Sequence, residues 1–390
     1  MNDFTLYQPT YYAFGRDTQH LAGELVQRFG GTKVLLHYGT GSVVRSGLLG
    51  QVKQSLEAAG IPYVELGGAV PNPRSDLVYQ GIELCRREQV DFILSVGGGS
   101  AIDSGKAIAL GVPYEGDFWD FFAGKAVPAQ GLRHGCVLTL VATGTEGSNS
   151  AVITHTDGMV KRGVGTDFNR PAFSILNPEL TYTLNPYQTA CGIVDMMAHI
   201  MERYFTNTKD VDLTDRLCEG ALKAIIAAAP KVMENPNDYE TRATLMWAGT
   251  IAHNGSLGVG RQEDWASHNI EHELSALYDV AHGAGLAVVF PNWIKYVMDT
   301  NIPRFAQFAV RVWNCEMNFD NPKATALEGV DKLQAFFKSI GMPLTFADID
   351  AKEEDIPLLA QKARCDSEGL LGGFVRLTKG DIEQIYRMCL

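Results

Sequence analysis

The sequence of 390 residues has no clustered positive charge. Lys and Arg number 33 against 45 Asp and Glu, which gives a formal net charge of -12 at pH 7. The longest basic stretches are those in "CRRE" and "VKR", which are too short to follow a phosphate backbone. We therefore expect no nucleic-acid partner.

Long apolar runs are also missing. No window of about 20 uncharged apolar residues occurs, so we expect no membrane-spanning helix. The opening "MNDFTLYQPTYY" has no basic segment followed by an apolar one, so we expect no secretion signal. A hydrophobic content of 46% and a charged content of 20% are typical of a folded protein. The cytoplasm is the expected compartment.

The cysteines are isolated rather than paired. There are seven of them, none in a CxxC motif, and the odd number argues against a complete disulfide framework. We expect reduced side chains that serve mostly in packing. They are Cys85, Cys136, Cys191, Cys218, Cys315, Cys365 and Cys389.

Two halves of the chain differ in their periodicity. In the first, β-rich segments alternate with helical stretches such as "SDLVYQGIELCRRE", which indicates βαβ units on a largely parallel sheet. The predicted strands cover residues 33–38, 62–66, 91–96, 136–141 and 173–177. After Pro186 a helical periodicity replaces them. The sequence predicts an α/β domain over 1–184 and an all-α domain over 185–390.

Two of the predicted strands end in glycine-rich turns. The second of them is followed by a helix, and its glycines leave backbone amides uncovered where the helix dipole favours a pyrophosphate. Neither turn has the GxGxxG spacing, so tight turns without a ligand are the alternative. The turns are Gly39, Thr40, Gly41 and Ser42, and Gly97, Gly98, Gly99 and Ser100.

The first turn also lacks an acidic residue that would bind a ribose 2′-hydroxyl, and Arg45 follows it. This favours NADP over NAD, unless Arg45 is only a solvated helix residue. A third loop, "TLVATGTEGSNS", supplies short polar side chains after a strand. They are Thr139, Thr143, Ser148 and Asn149. A polar loop without function is the alternative.

The second half contains an acid in an apolar segment, "TACGIVDMMAHIMERYF". Asp195 and His199 are spaced i,i+4, on one face of a helix, and a buried aspartate needs a partner. His268 and His272 repeat that spacing, and His282 follows. A cation shared by histidines would neutralise Asp195, whereas each histidine considered alone is more often a satisfied core residue.

Imidazoles with one carboxylate suit Fe(II), Zn(II), Co(II) or Ni(II), and are too rich in nitrogen for Mg(II) or Ca(II). A first-row transition metal is therefore expected. Which histidines bind it stays open at this point, because His272 could replace one of the others. Such a cation would act as a Lewis acid on a carbonyl oxygen.

The order and spacing of several segments resemble the iron-containing (group III) alcohol dehydrogenases, in their butanol dehydrogenase-like branch. The resemblance covers nearly the whole chain, through "YYAFG", "AVPNPRSD", "VGGGSAIDSGKAIA", "LTLVATGTEGS", "GIVDMMAHIMERY" and "WASHNIEHELSALYDVAHGAGLAVVFPNW". It implies a dehydroquinate synthase-like fold. It also implies hydride transfer between NAD(P)(H) and a short-chain primary alcohol or aldehyde such as butanol or butyraldehyde, with Fe(II) or Zn(II).

The resemblance also implies the site residues. The metal ligands would be Asp195, His199, His268 and His282. The cofactor contacts would be Gly39, Gly41, Ser42, Asn72, Gly97 to Ser100, Asp103, Thr139, Thr143 and Lys161, with Leu184 near the nicotinamide. His272 would line the substrate pocket, and we take it as the candidate proton relay, with a purely hydrogen-bonding role as the alternative. Glu271 and Glu273 depart from the small residues or proline of many relatives.

Two competing functions remain to be weighed. A dehydroquinate synthase-like lyase has the same fold but needs several basic residues for a phosphorylated substrate, and only Arg203 and Arg261 lie near the predicted ligands in the sequence. A noncatalytic metal-binding protein would leave the glycine turns without a role. A homodimer is expected, because edge strands of such sheets often pair between subunits.

Overall fold

The computed structural model describes residues 1–390 and contains eight strands. They are β1 (Tyr11–Phe14), β2 (Val34–Gly39), β3 (Tyr63–Ala69), β4 (Phe92–Gly97), β5 (Arg133–Leu138), β6 (Ser150–His155), β7 (Val160–Gly165) and β8 (Phe173–Leu176). Six of them form one sheet in the order β1-β8-β5-β4-β2-β3, in which every pairing is parallel, and β6 and β7 form an antiparallel pair. All five predicted strands are present within a few residues.

Fifteen α-helices complete the chain. They are α1 (Ala22–Arg28), α2 (Ser42–Arg45), α3 (Leu48–Ala58), α4 (Ser75–Glu88), α5 (Gly99–Gly111), α6 (Trp119–Phe122), α7 (Pro186–Tyr204), α8 (Asp212–Glu234), α9 (Tyr239–His253), α10 (Ala266–Tyr278), α11 (His282–Val297), α12 (Ile302–Trp313), α13 (Pro322–Ser339), α14 (Ile356–Lys362) and α15 (Lys379–Arg387). No helix has both the length and the apolar character needed to cross a membrane.

The six-stranded sheet is buried on both faces. Along β2, Val34 and Leu36 pack in one apolar cluster with helices α1 and α3, while Leu35 packs in another with α4 and α5. Parallel sheets carry such near-continuous apolar strands because helices cover both faces. The carboxyl ends of the strands, and the turns that follow them, are what the sheet leaves available for binding.

Two compact units divide the chain. The α/β unit comprises residues 7–184 and 237–254, and the helical unit comprises residues 1–6, 185–236 and 255–390. The predicted domains met at residue 184, which is also a boundary here. The structure differs from the predicted division in two respects. Helix α9 belongs to the α/β unit, and residues 1–6 belong to the helical unit.

Contacts of α9 explain this difference. The Thr250 hydroxyl donates to the carboxylate of Glu146 at 2.7 Å, and the ring of Trp247 packs edge-on against Tyr12 at 5.5 Å between centroids. Helical periodicity predicts that a segment is a helix, but it does not say which body the helix packs against. Continuity along the chain was therefore a poor guide here.

Candidate metal centre and cofactor turns

Helix α7 carries the first two predicted metal ligands. Asn185 caps it by accepting a hydrogen bond from the backbone N–H of Gln188 at 2.8 Å, and Pro186 suits the first helical position. Asp195 and His199 lie one turn apart and are 2% and 5% exposed. The predicted helical face is present, and both polar side chains are inside the helical unit.

Glu202 of α7 organises the start of α10. Its carboxylate accepts hydrogen bonds from the backbone N–H groups of Trp265 at 2.7 Å and His268 at 3.1 Å. These groups lack helical partners at a helix N-terminus, where a negative charge is also favourable. The same carboxylate lies 2.7 Å from Nδ1 of His268, so one side chain fixes both the helix and the imidazole.

His282 begins α11 close to α7. A Cβ atom added to the next residue, Gly283, would lie 2.0 Å from the backbone oxygen of Cys191 in α7, so only glycine permits this approach. Nδ1 of His282 contacts the carboxylate of Glu271. The opposite ring nitrogen, Nε2, is thereby directed at Asp195.

The ring nitrogens of three histidines surround one oxygen of Asp195. Its Oδ1 lies 3.4 Å from Nδ1 of His199, 3.8 Å from Nε2 of His268 and 3.8 Å from Nε2 of His282. One donor atom each of Asp195, His268 and His282 falls within 4.8 Å of the others. His199 reaches Asp195 but stands outside that closest group of three.

The donor atoms fit a bound cation. Oδ1 of Asp195 and Nε2 of His268 are buried without a hydrogen-bond partner, although buried polar atoms usually have one. Burial lowers the pKa of His268, but the carboxylates of Asp195 and Glu202 outweigh burial and raise that pKa to about 9. The cluster therefore attracts positive charge, and a divalent ion would replace the proton. One carboxylate among imidazoles suits a first-row transition metal.

His272 lies beside this group rather than within it. Its ring centroid is 5.4 Å from that of His282, and the ring is half-buried. A second possible group, Glu271, His272 and His282, also brings its donor atoms within 4.8 Å. The geometry therefore also allows the alternative in which His272 is a metal ligand.

The two arginines that a phosphorylated substrate would need are already engaged. Arg203 pairs with Glu263 at 3.1 Å and lies over the ring of Trp265. Arg261, whose side chain is fully buried, pairs with Asp215 at 2.9 Å. Neither is placed to bind a free phosphate group.

The three predicted cofactor loops follow neighbouring strands of the α/β unit. Residues 39–42 follow β2, residues 97–100 follow β4, and residues 139–149 follow β5, and β4 pairs with both of the other strands. Because the strands are parallel, all three loops lie at the same edge of the sheet, which is where open α/β sheets bind ligands.

The glycines of the second turn have a packing role. A Cβ at Gly98 would lie 2.9 Å from Cβ of Leu140, and a Cβ at Gly99 would lie 2.7 Å from Oγ1 of Thr143. The third loop thus lies directly against this turn. Uncovered amides and a tight turn were the two explanations predicted for the glycines, and this close packing is an additional reason for them.

Three predicted cofactor residues form hydrogen bonds across long sequence separations. Nζ of Lys161 donates to Oδ1 of Asn72 at 3.0 Å, and both residues are buried. Asp103 accepts from the Thr145 hydroxyl at 2.5 Å and from the backbone N–H of Val152 at 2.9 Å. These side chains tie the loops together.

The remaining predicted cofactor residues differ in exposure. Ser148 is fully buried, and its hydroxyl lies 3.2 Å from the backbone nitrogen of Ser150. Thr139, Asn149 and Leu184 are half-buried, and the backbone oxygen of Asn149 accepts from Thr166 at 2.9 Å. Only the half-buried residues among these retain exposed surface for a ligand.

Sequence reasoning missed the roles of three residues around these sites. Lys106 is fully buried, and its ammonium group donates to the backbone oxygens of Thr145, Ser148 and Ser150 and to the Thr145 hydroxyl, at 2.6 to 3.1 Å. Its position in the apolar helix α5, three residues after Asp103, was a usable signal. Glu202 gave no signal, and Glu271 was noted only as a departure from relatives, because the imidazole partners of both carboxylates lie on other helices.

A cluster of imidazoles around a carboxylate in the helical unit, and glycine-rich turns at the carboxyl ends of parallel strands in the α/β unit, are the features expected of a metal-dependent, dinucleotide-linked oxidoreductase. Two family models agree with this class. The model for iron-containing alcohol dehydrogenases matches residues 9–178, and the model for the C-terminal part of the Fe-containing alcohol dehydrogenase family matches residues 189–390. The chain belongs to the iron-containing alcohol dehydrogenase family, and it is an NAD(P)-dependent alcohol dehydrogenase.

Individual relatives match along the full length. The chain is 44% identical over 391 residues to the probable NADH-dependent butanol dehydrogenase 2 of Bacillus subtilis, covering 100% of both chains. It is 37% identical over 366 residues to the NADPH-dependent aldehyde reductase YqhD of Escherichia coli, covering 93% of each. Among solved structures, the NADH-dependent butanol dehydrogenase A of Thermotoga maritima superposes with a TM-score of 0.96 at 39% identity, covering 100% of this chain and 99% of that one. The resemblance inferred from the sequence is confirmed.

Proposed function

We propose that this alcohol dehydrogenase reduces short-chain aldehydes such as butyraldehyde to primary alcohols, and catalyses the reverse reaction, at a metal held by Asp195, His199, His268 and His282. The observation that carries the metal site is the cluster of imidazoles around Oδ1 of Asp195 with two buried atoms that lack hydrogen bonds. The names of the relatives support the substrate class.

The bound groups would supply the reactive chemistry. When present, the divalent cation supplies a Lewis acid that polarises the substrate oxygen, and the nicotinamide supplies or accepts the hydride. The protein holds these groups in place. Glu202 fixes the orientation of His268, and the apolar surroundings of Asp195 limit the access of water.

An uncharged substrate is favoured over a phosphorylated one. Arg203 and Arg261 are committed to Glu263 and Asp215. The dehydroquinate synthase-like alternative lacks free cationic side chains at the cluster and is disfavoured.

Iron(II) is the proposed metal, with zinc(II) as the second choice. The donor set suits both ions, and the family model that matches residues 9–178 is that of iron-containing alcohol dehydrogenases.

We propose a preference for NADP(H) over NAD(H). The turn after β2 has no acidic side chain, and the guanidinium of Arg45 lies 3.0 Å from where a Cβ of Gly41 would be. A cation at this turn suits a 2′-phosphate. Relatives of the chain carry names with either cofactor. Arg45→Ala should lower kcat/KM for NADPH more than for NADH, and equal effects would contradict the preference.

His272 is proposed to relay a proton between the substrate oxygen and solvent. It is half-buried beside His282, and an imidazole titrates near neutral pH. His272→Ala should retain the metal, lower kcat and alter its pH profile. Loss of the metal would instead place His272 among the ligands.

A homodimer in the cytoplasm is proposed for the working enzyme. Strand β1 lies at the edge of the sheet with β8 as its only neighbour, so its other side is open to a second strand. All seven cysteines are free, which is usual in a reducing compartment. A mass measured by light scattering that matches one chain would contradict the dimer.

The activity is tested by following nicotinamide absorbance with butyraldehyde. Chelation should abolish turnover, and ferrous or zinc ions should restore it. Full activity after complete chelation would remove the metal from the proposed mechanism, and absence of activity with every short aldehyde would overturn the substrate class.

A further inference from the structure

We propose that Glu271 is a positioning residue of the metal centre, which fixes the orientation and tautomer of His282 and strengthens it as a ligand. This inference rests on the proposed metal site. The Glu271 carboxylate is fully buried and contacts Nδ1 of His282. Sequence comparison alone singled out Glu271 as a departure, and the structure gives it a partner.

The tautomer follows from the chemistry of the contact. A carboxylate accepts hydrogen bonds, so the proton of a neutral His282 resides on Nδ1, and the lone pair of Nε2 faces the cluster. Nε2 lies 3.8 Å from Oδ1 of Asp195. A carboxylate behind an imidazole also raises the basicity of the opposite nitrogen and so its strength as a ligand.

His268 has the same arrangement with a different carboxylate. Its Nδ1 lies 2.7 Å from Oε1 of Glu202, and its Nε2 lies 3.8 Å from Oδ1 of Asp195. In both His268 and His282, therefore, Nε2 faces the proposed metal and Nδ1 contacts a carboxylate. Glu202 also caps helix α10 through the backbone N–H groups of Trp265 and His268, so changing Glu202 would disturb the helix as well as the imidazole. Glu271 is therefore the better residue in which to test the effect on the metal.

The neighbouring helix leaves space for this carboxylate. Gly285 lies one turn after His282 in α11, and a Cβ atom there would lie 2.4 Å from Oε1 of Glu271 and 2.7 Å from its Cγ. The hydroxyl of Ser275, one turn along α10, contacts the same Oε1. Absence of a side chain at residue 285 thus allows Glu271 to reach His282.

The first experiment compares zinc affinities, measured by competition with a chromogenic chelator, of the wild-type chain, Glu271→Gln and Glu271→Ala. Removing a carboxylate that supports a metal-binding histidine weakens metal binding by about 10- to 100-fold. We expect that loss in Glu271→Ala. A smaller loss is expected in Glu271→Gln, because the amide oxygen still accepts from Nδ1 and only the charge is removed.

A matched control separates this effect from the removal of any buried carboxylate. Glu219 is 5% exposed in the same unit and accepts from Tyr204 at 3.0 Å and from Arg311 at 3.1 Å, with no imidazole partner among these. Glu219→Gln should leave zinc affinity unchanged. Cobalt-loaded protein adds a spectroscopic readout, since the visible spectrum should change in Glu271→Ala and stay as in the wild type in Glu219→Gln.

A second experiment perturbs Glu271 without changing it. Gly285→Ala should displace the carboxylate and weaken zinc binding, whereas in the Glu271→Ala background the same substitution should have little further effect. Such non-additivity is expected only if both changes act through one contact. Additive losses would show that Gly285 acts independently and would count against the proposal.

The outcomes distinguish this inference from the proposed metal site. If the wild-type chain binds no zinc or iron, the metal site itself is wrong. If the wild type binds zinc and folded Glu271→Ala and Glu271→Gln bind it equally well, with unchanged cobalt spectra, the metal site stands and the role of Glu271 is overturned.

Discussion

Lys106 in the α/β unit and Asp195 in the helical unit are both ionisable side chains inside apolar helices, but their surroundings differ. The ammonium group of Lys106 has four oxygen acceptors within 3.1 Å, all supplied by residues 145–150. Oδ1 of Asp195 has no hydrogen-bond partner, and three imidazoles lie 3.4 to 3.8 Å away.

This contrast separates a structural polar network from a candidate binding site. A buried polar group with a full set of partners stabilises one conformation, whereas buried groups left without partners are costly unless a ligand satisfies them. Burial alone does not distinguish the two cases, since Lys106 is the more deeply buried. The two cases differ in whether the buried atoms have hydrogen-bond partners.

The largest effect on stability is expected at the satisfied site. Lys106→Met removes the donor from four oxygens and takes away one of the two cations near Asp103, which should lower the free energy of unfolding by about 3–5 kcal/mol. Urea unfolding measures this. Lys125→Met is the control, because that side chain is 73% exposed. Equal stabilities of the two variants would contradict the account of Lys106.

A histidine in the α/β unit tests the same idea through pH. Nδ1 of His37 donates to the backbone oxygen of Leu66 at 2.8 Å, and Nε2 accepts from Ser104 at 2.6 Å, so the neutral ring is satisfied. Burial lowers the pKa of His37 to about 4. The unfolded chain, with a pKa of about 6.5, then binds the proton more tightly than the folded chain.

Stability from His37 is therefore fully present above about pH 6.5 and is lost as the pH falls towards 4, by about 3 kcal/mol. His37→Gln should flatten the pH dependence of hydrogen exchange in β2 and β4 over that range. His20→Gln, at an exposed position, should not. Parallel pH curves for the wild type and His37→Gln would argue against a neutral, buried ring.

At the open site, metal should add stability. Zinc at about 100 times its dissociation constant should raise the free energy of unfolding by about 2.7 kcal/mol, and Asp195→Asn should lose most of this gain. Thermal unfolding with and without zinc measures it. Magnesium is the control and should have no effect, because the site is rich in nitrogen. Equal zinc stabilisation of both chains would exclude Asp195 as a ligand.

The smallest effect concerns the start of α7. Asn185→Ala removes the side-chain cap and should lower stability by about 1 kcal/mol. Zinc affinity should stay close to that of the wild type, because Asp195 lies almost three turns further along. Asn321→Ala, at the equivalent cap of α13, is the matched control for stability. A large loss of zinc affinity in Asn185→Ala alone would show that the cluster depends on the helix end.

The sequence predicted the elements that depend on local patterns. Strand β4 and helix α4 lie where alternation and helical spacing placed them. It did not predict β1, which has four residues, or the antiparallel pair of β6 and β7. Strand β5 ends at Leu138, before the predicted end at residue 141, and Leu140 beyond it lies against Gly98 in the turn after β4.

For the site, the spacing of residues along one helix could be predicted from the sequence, whereas the contacts between residues of different helices could not. The i,i+4 pair of Asp195 and His199 is readable from sequence, and so is the need for a countercharge. The carboxylates behind His268 and His282 are not, because Glu202 is 66 residues from its partner and Glu271 reaches across to another helix. Such contacts depend on tertiary packing.

Anomalous diffraction from crystals of metal-loaded protein, recorded across the iron and zinc edges, tests the metal site most directly. We expect one peak per chain, bonded to Oδ1 of Asp195, to Nε2 of His268 and His282, and to His199. A peak bonded instead to Glu271, His272 and His282, or no peak at either group in fully loaded protein, would contradict it.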